Sequence, residues 1–184
     1  MKPIQGYDLV NEAGEFKRLP AGIYGVRITN VVDNPENEFL EIYVDITKGE
    51  YANYFKTQVD NGLKDSSKTI RSYKTNALPF FKAFITAVEK TNTGYKWDWD
   101  EKKLIGKNVI AVFGEEEYIN KNNELKVATV ISEFRSLEAY QKGDIKVPEL
   151  KKLSPNSGAP ASPAVPTSGN NTEVVKISDL DLPF

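Results

Sequence analysis

Between Leu153 and Thr172 the chain is written almost wholly in Ser, Pro, Gly, Ala and Asn, with no aromatic and no charged residue. Such a stretch has too little apolar surface to offset the entropy of ordering it, so any core must lie before it. Pro155, Pro160, Pro163 and Pro166 are spaced too irregularly for a collagen or single polyproline motif. With Gly158 and Gly169 they read as an extended, disordered linker. The 184 residues therefore divide into a body over 1–145, a linker over 146–172 and an acidic tip over 173–184. A body of about 145 residues suits one domain with a real core.

Composition narrows the chemistry of that body. Cys and His are both absent, which excludes disulfides, the usual zinc sites, Cys nucleophiles and His-based triads. No Gly-Lys-Ser/Thr loop is present to cradle a nucleotide's phosphates. Asp98, Asp100 and Glu101, or the run Glu115-Glu116-Glu117, are the only acidic groupings that suggest a metal-dependent nuclease. The run, placed in a strand, points to alternate faces and does not converge. No catalytic residue, metal or cofactor is assigned, and a binding protein rather than an enzyme is expected. The formal net charge of −2 means that any nucleic-acid contact must come from a local patch. With no apolar run of spanning length and no N-terminal signal-like region, the expected location is the cytoplasm, with no membrane partner.

Hydrophobic periodicity organises the body into strands and one long helix. Gly22 to Val32 alternates as a first strand, with Tyr24, Val26 and Ile28 on one face. After the turn at Asp33 to Asn37, Phe39 to Thr47 alternates more clearly, with Leu40, Ile42, Val44 and Ile46 on one face. A third strand is expected over Tyr51 to Val59, and a polar loop over Asp60 to Ser72. The helix begins near Asn76 as its cap, takes Pro79 in its first turn and stops before Gly94. Leu78, Phe81, Ile85 and Val88 form its buried stripe, widened by Phe80 and Phe84. Lys107 to Tyr118 and Glu124 to Phe134 are two further strands joined by a hairpin at Asn120 to Asn123, and a helical turn over Ser136 to Lys142 closes the body. Three strands, a helix and two strands is the order of the five-stranded Greek-key barrel called the OB-fold. The fold expected is mainly β: an OB-fold-like barrel with one helix between its third and fourth strands and a disordered C-terminal tail.

The last six residues supply the clearest functional signal. Phe184 carries a ring and the terminal carboxylate on one residue, suited to an apolar pocket with a basic lip. Pro183 restricts the backbone, Leu182 adds apolar area, and Asp179 and Asp181, separated by Leu180, steer the segment toward Lys/Arg surfaces. This Asp-Leu-Asp-Leu-Pro-Phe ending resembles the C-terminal tip of bacterial single-stranded DNA-binding proteins. The resemblance implies that Asp179 to Phe184 dock replication, recombination and repair proteins. A second resemblance, to small phage and prophage proteins of poorly characterised function, rests on three stretches. These are Met1 to Tyr7, Leu19-Pro20-Ala21-Gly22, and Gly94 to Glu101 followed by Leu104-Ile105-Gly106-Lys107. Together they imply a phage-encoded protein acting on DNA in a bacterial host's cytoplasm.

Binding single strands without sequence preference needs aromatic rings for the bases and cations for the phosphates. Tyr54, Phe55 and Lys56, leading into Lys64, Lys68, Arg71, Tyr73 and Lys74, supply both. Tyr43 on the polar face of its strand, with Arg27 on the neighbouring strand, is a second group. Trp97 and Trp99 alternate with Asp98 and Asp100, whose charges repel phosphate, so packing beneath the barrel is at least as good a reading for them. The leading expectation is a protein that coats single-stranded DNA during phage replication or recombination and recruits processing enzymes through its tip, with a homo-oligomer as one form it can take. The rival expectations are a strand-annealing accessory factor and an adaptor whose tip captures host pockets without contact to DNA.

Overall fold

A computed structural model describes residues 2–3 and 17–153, so the linker beyond Leu153 and the tip Asp179 to Phe184 lie outside the described residues. The body is mainly β. Five strands, β1 (Gly22–Asn34), β2 (Phe39–Ile46), β3 (Lys68–Ser72), β4 (Asn108–Ile119) and β5 (Leu125–Arg135), form one antiparallel sheet in the order β3-β2-β1-β4-β5. The strict alternation of β2 puts Leu40, Ile42, Val44 and Ile46 inward, each 3% exposed or less. β1 is long because it serves two ladders, pairing with β4 over Gly22 to Arg27 and with β2 over Val26 to Asn34. A register shift between Ile28 and Asn30 bends it as it passes from one partner to the other.

Helices close the inner face. α2 (Leu78–Thr91) packs against β3, β4 and β5 and buries Phe81, Phe84, Ile85, Ala87 and Val88. Its Phe84 ring lies 4.9 Å from that of Phe134 on β5. The two edge strands approach each other where the Arg71 guanidinium of β3 sits 4.6 Å over the Phe134 ring. A short 3-10 turn (Glu101–Leu104), started by the Asp100 carboxylate accepting from the Lys102 N–H, drops Leu104 into the core. α3 (Leu137–Gln141) begins at the expected Ser136, whose hydroxyl accepts from the Ala139 N–H.

Three expectations from the sequence need correction. Tyr51 to Val59 is not the third strand: Tyr54–Asp60 forms a helix, α1. An acceptor from another strand decides it, because the Asp45 carboxylate on β2 takes the N–H groups of Phe55 and Lys56, each at 3.1 Å. The third strand instead lies inside the expected loop, at Lys68–Ser72, where Thr69 and Arg71 stand opposite the inward Ile42 and Leu40. The buried stripe of α2 also begins a turn later than expected. Ala77, with no side-chain cap, precedes the helix in place of Asn76, and Leu78 and Phe80 are 48% and 47% exposed.

The chain beyond α3 turns back onto β4. Pro148 covers Gly114, where a Cβ would lie 2.7 Å from the proline Cγ. Lys151 then bridges β4 in parallel: its N–H donates to the Glu115 carbonyl and its carbonyl accepts from the Glu117 N–H, both at 2.9 Å. These residues, which the sequence reading assigns to the linker, fill the ladder that β1 leaves when it ends at Gly22.

The burial pattern makes a direct contrast. Ile42→Ala, at a fully buried position, is expected to lower unfolding free energy by about 2–5 kcal/mol. Phe80→Ala, on the exposed first turn of α2, is expected to cost much less, about 1 kcal/mol or under. Urea denaturation of the two variants checks this, and equal losses would put Phe80 in the core.

Candidate nucleic-acid interface

Because the even-numbered residues of β2 point inward, Glu41, Tyr43 and Asp45 form the opposite, outer face with their neighbours on β1 and β3. Tyr43 stands between Asn30 of β1 and Lys68 of β3, Glu41 between Val32 and Ile70, and Asp45 opposite Arg27. Val32 and Ile70 are 44% and 47% exposed, so this face carries bare apolar side chains beside its polar ones. α1 and the segment after it wall one side, leaving an open cleft of about 440 Å³ lined by Arg27, Thr29, Asp45, Lys56, Asp60 and Ser67 among others.

The cations of this face differ in what they already hold. Lys68 Nζ donates to Glu41 Oε1 at 2.9 Å, and the Tyr43 hydroxyl donates to Glu41 Oε2 at 3.1 Å. The Lys68 bond first, and the Tyr43 bond second, hold the Glu41 carboxyl below its ordinary range, while the same carboxylate raises Lys68. Partial burial and then the bond to Glu41 push the Tyr43 phenol up. Lys56 pairs with Asp60 one helical turn away. Arg27 is exposed and bonds only weakly, through Nε to Asn108 Oδ1 at 3.4 Å. Lys64 and Lys74 are exposed and make no ion pair with another described residue.

The residues singled out in the sequence thus separate into groups. Arg27, Tyr43, Lys56 and Lys68 come together on or beside the outer face. Tyr54 is held at the core margin, its hydroxyl accepting from the Leu19 N–H at 3.0 Å and its ring set edge-on to Phe55. Phe55 is 5% exposed and belongs to the core, although one edge of it reaches the cleft. Arg71 points inward to Phe134, and burial pulls its pKa down to about 10. Tyr73 is tied to Asp33 at 2.9 Å and packs edge-on against Phe81, away from Tyr43.

Two further features escaped the sequence reading. The β4–β5 hairpin carries Tyr118, Ile119 and Leu125 at 45%, 51% and 58% exposure, beside exposed Lys121 and Lys126. Its turn was legible, but nothing in the alternation said that these side chains have no covering element among the described residues. The two tryptophans also behave differently. Trp97 packs edge-on to Phe81 at 6.4 Å, whereas Trp99, held at φ 69°, is 81% exposed. Among the described residues no group of three or more acidic side chains is placed to hold a metal ion. No helix among them is long and apolar enough to cross a membrane. A scan of protein-family models finds none that matches this chain, and no curated protein matches it significantly.

The Glu41 pairing yields a titration experiment. A carboxyl held below its ordinary value of 4.5 contributes stability above that value and loses it as pH falls through the lowered folded-state pKa. Lys68→Met is expected to return Glu41 upward toward 4.5, and Tyr43→Phe to move it less in the same direction. Carboxyl-carbon NMR titration reads both, and an unmoved Glu41 in Lys68→Met would remove the pairing from this account.

Proposed function

We propose that this chain is a single-stranded DNA-binding protein whose body coats the strand without strong sequence preference and whose C-terminal tip docks DNA-processing proteins during phage replication or recombination. The observation that carries the reading is the outer face of β1, β2 and β3. There the Tyr43 ring and the Arg27 guanidinium stand on adjacent strands beside an open cleft, with exposed Val32 and Ile70 on the same face. Rings and apolar side chains offer surfaces to bases of any identity, and cations at the margin follow the phosphates.

The architecture supports the same reading. A sheet in the order β3-β2-β1-β4-β5, with a helix between the third and fourth strands, is the order that an OB-fold barrel left open between β3 and β5 would have. In OB-folds the face of strands 2 and 3, with the loops between strands 1 and 2 and between strands 4 and 5, takes oligonucleotides. The corresponding β4–β5 hairpin here offers Tyr118, Lys121 and Lys126. The tip, with its ring and carboxylate on Phe184, adds the docking half of the proposal.

One observation favours a second reading. Lys56 and Lys68, two cations of the outer face, already neutralise Asp60 and Glu41. A face of this balance also suits an adaptor that docks partners by its tip and leaves DNA alone.

Fluorescence anisotropy of labelled oligo(dT) and of duplex DNA, with the full chain and with residues 1–172 over a salt series, separates the two. Single strands are expected to bind in preference to duplex, and truncation to leave affinity equal or raised. Tyr43→Ala is expected to weaken binding by about 1–3 kcal/mol, the worth of one stacked base. Arg27→Ala is expected to lower the salt slope by roughly 0.7. No binding by either form at low salt would overturn the coating role and leave the adaptor.

A further inference from the structure

A strand edge left open presents unpaired N–H and C=O groups to any chain that can lie along it. Two of the exposed ladder positions in this body are blunted. β3 is five residues long and charged at Lys68 and Arg71, and the stretch of β4 that β1 leaves bare is covered by Lys151. β5 is treated differently. It is eleven residues long and pairs, among the described residues, with β4 alone. Its middle, Val127 to Ile131, has no charge, no Pro and no Gly, and four of its five residues are β-branched.

We propose that β5 pairs antiparallel with β5 of a second copy of this chain, about a two-fold axis at Thr129, joining two sheets into one. The register follows from the strand itself. β5 bulges at Ser132, since Val112 pairs with Glu133 and Phe113 with Ile131. Leu125, Val127, Thr129, Ile131 and Phe134 therefore share the inner side, opposite Ile119, Glu117, Glu115, Phe113 and Ala111 of β4. Lys126, Ala128, Val130, Glu133 and Arg135 take the outer side. Directly opposed residues in an antiparallel pair share a face, so the axis must pass through a residue and not between two.

Only one of the three central registers satisfies the charges. With Thr129 facing its own copy, Val127 meets Ile131, and beyond the bulge Lys126 meets Glu133 and Glu124 meets Arg135. An axis at Ala128 would set Glu133 against Glu124, and one at Val130 would set Arg135 against Lys126. Opposite charges on facing positions stabilise a pair and like charges oppose it, so the sequence specifies Thr129. In the single chain Lys126 pairs with Glu124 at 3.3 Å and Arg135 with Glu133 at 2.9 Å, so each end of the joined ladder becomes a closed set of four charges. The arriving strand also ends near Arg71, whose buried Nη2 has no acceptor among the described residues. The contact is isologous and uses up the edge it needs, so it gives dimers and not filaments.

The experiment uses the full chain without DNA, in sedimentation equilibrium and by cysteine crosslinking. A dimer is expected, weakened about tenfold by Lys126→Glu and restored when Glu133→Lys is added to it, with circular dichroism confirming that each variant is folded. Because the chain has no Cys, Thr129→Cys is expected to form an intermolecular disulfide on mild oxidation, while Lys64→Cys in the exposed segment is not. A chain that stays monomeric at every concentration overturns the proposal. So does a dimer that is indifferent to Lys126→Glu and is not captured through residue 129.

Discussion

The double pairing of β1 is the constraint on which the rest of the body depends. One strand holds β4 along its first half and β2 along its second, and the irregularity between Ile28 and Asn30 lets it change direction between them. The bend carries β3 and β5, the outermost strands, toward each other around α2 until Arg71 reaches Phe134. The alternation of β2 that buries Ile42 and Val44 necessarily turns Tyr43 outward, so the core and the outer face are the two sides of one sheet.

How far the sequence could be read follows from where each segment's partners lie. β1, β2, β4, β5 and the turn helix α3 were legible because period-2 alternation, a turn of Asn residues and a serine cap are local signals. α1 was not, since aromatic-rich Tyr51 to Val59 favours a strand on composition and the Asp45 carboxylate that starts the helix sits on a different element. β3 was hidden for a related reason. Lys68-Thr69-Ile70-Arg71-Ser72 shows its apolar residue outward and an arginine inward, the reverse of an ordinary half-buried strand, because Phe134 receives the guanidinium. Of the candidate site, Tyr43 and Arg27 were readable from alternation alone, while the fates of Phe55 and Arg71 turned on these two misplaced elements.

The Asp45 contact reaches beyond the fold. By anchoring α1 against β2 it helps to hold the wall of the cleft and Lys56 at its rim. The same carboxylate also takes the Ile46 N–H at 2.8 Å. With three backbone donors on it, Asp45 is occupied in holding the wall.

The hairpin between β4 and β5 is where the remaining features converge. Its β4 arm takes Lys151 as a parallel neighbour, and the Leu153 N–H donates to the Glu117 carboxylate at 3.1 Å, so the chain leaves the described body beside this hairpin. Its β5 arm is the edge that the charges of Glu124, Lys126, Glu133 and Arg135 suit to self-pairing, and its tip presents Tyr118 and Ile119. On the proposed reading, one element then sets the root of the docking tail, the join between copies and one border of the DNA path. Joining copies through β5 uses the backbone groups of an edge strand, whereas the outer face of β1, β2 and β3 offers the side chains of Arg27, Val32, Tyr43 and Ile70. Dimerisation of this kind would therefore add a second binding face and a second tail without consuming either, and a bivalent protein of that form holds a strand longer than one face alone does.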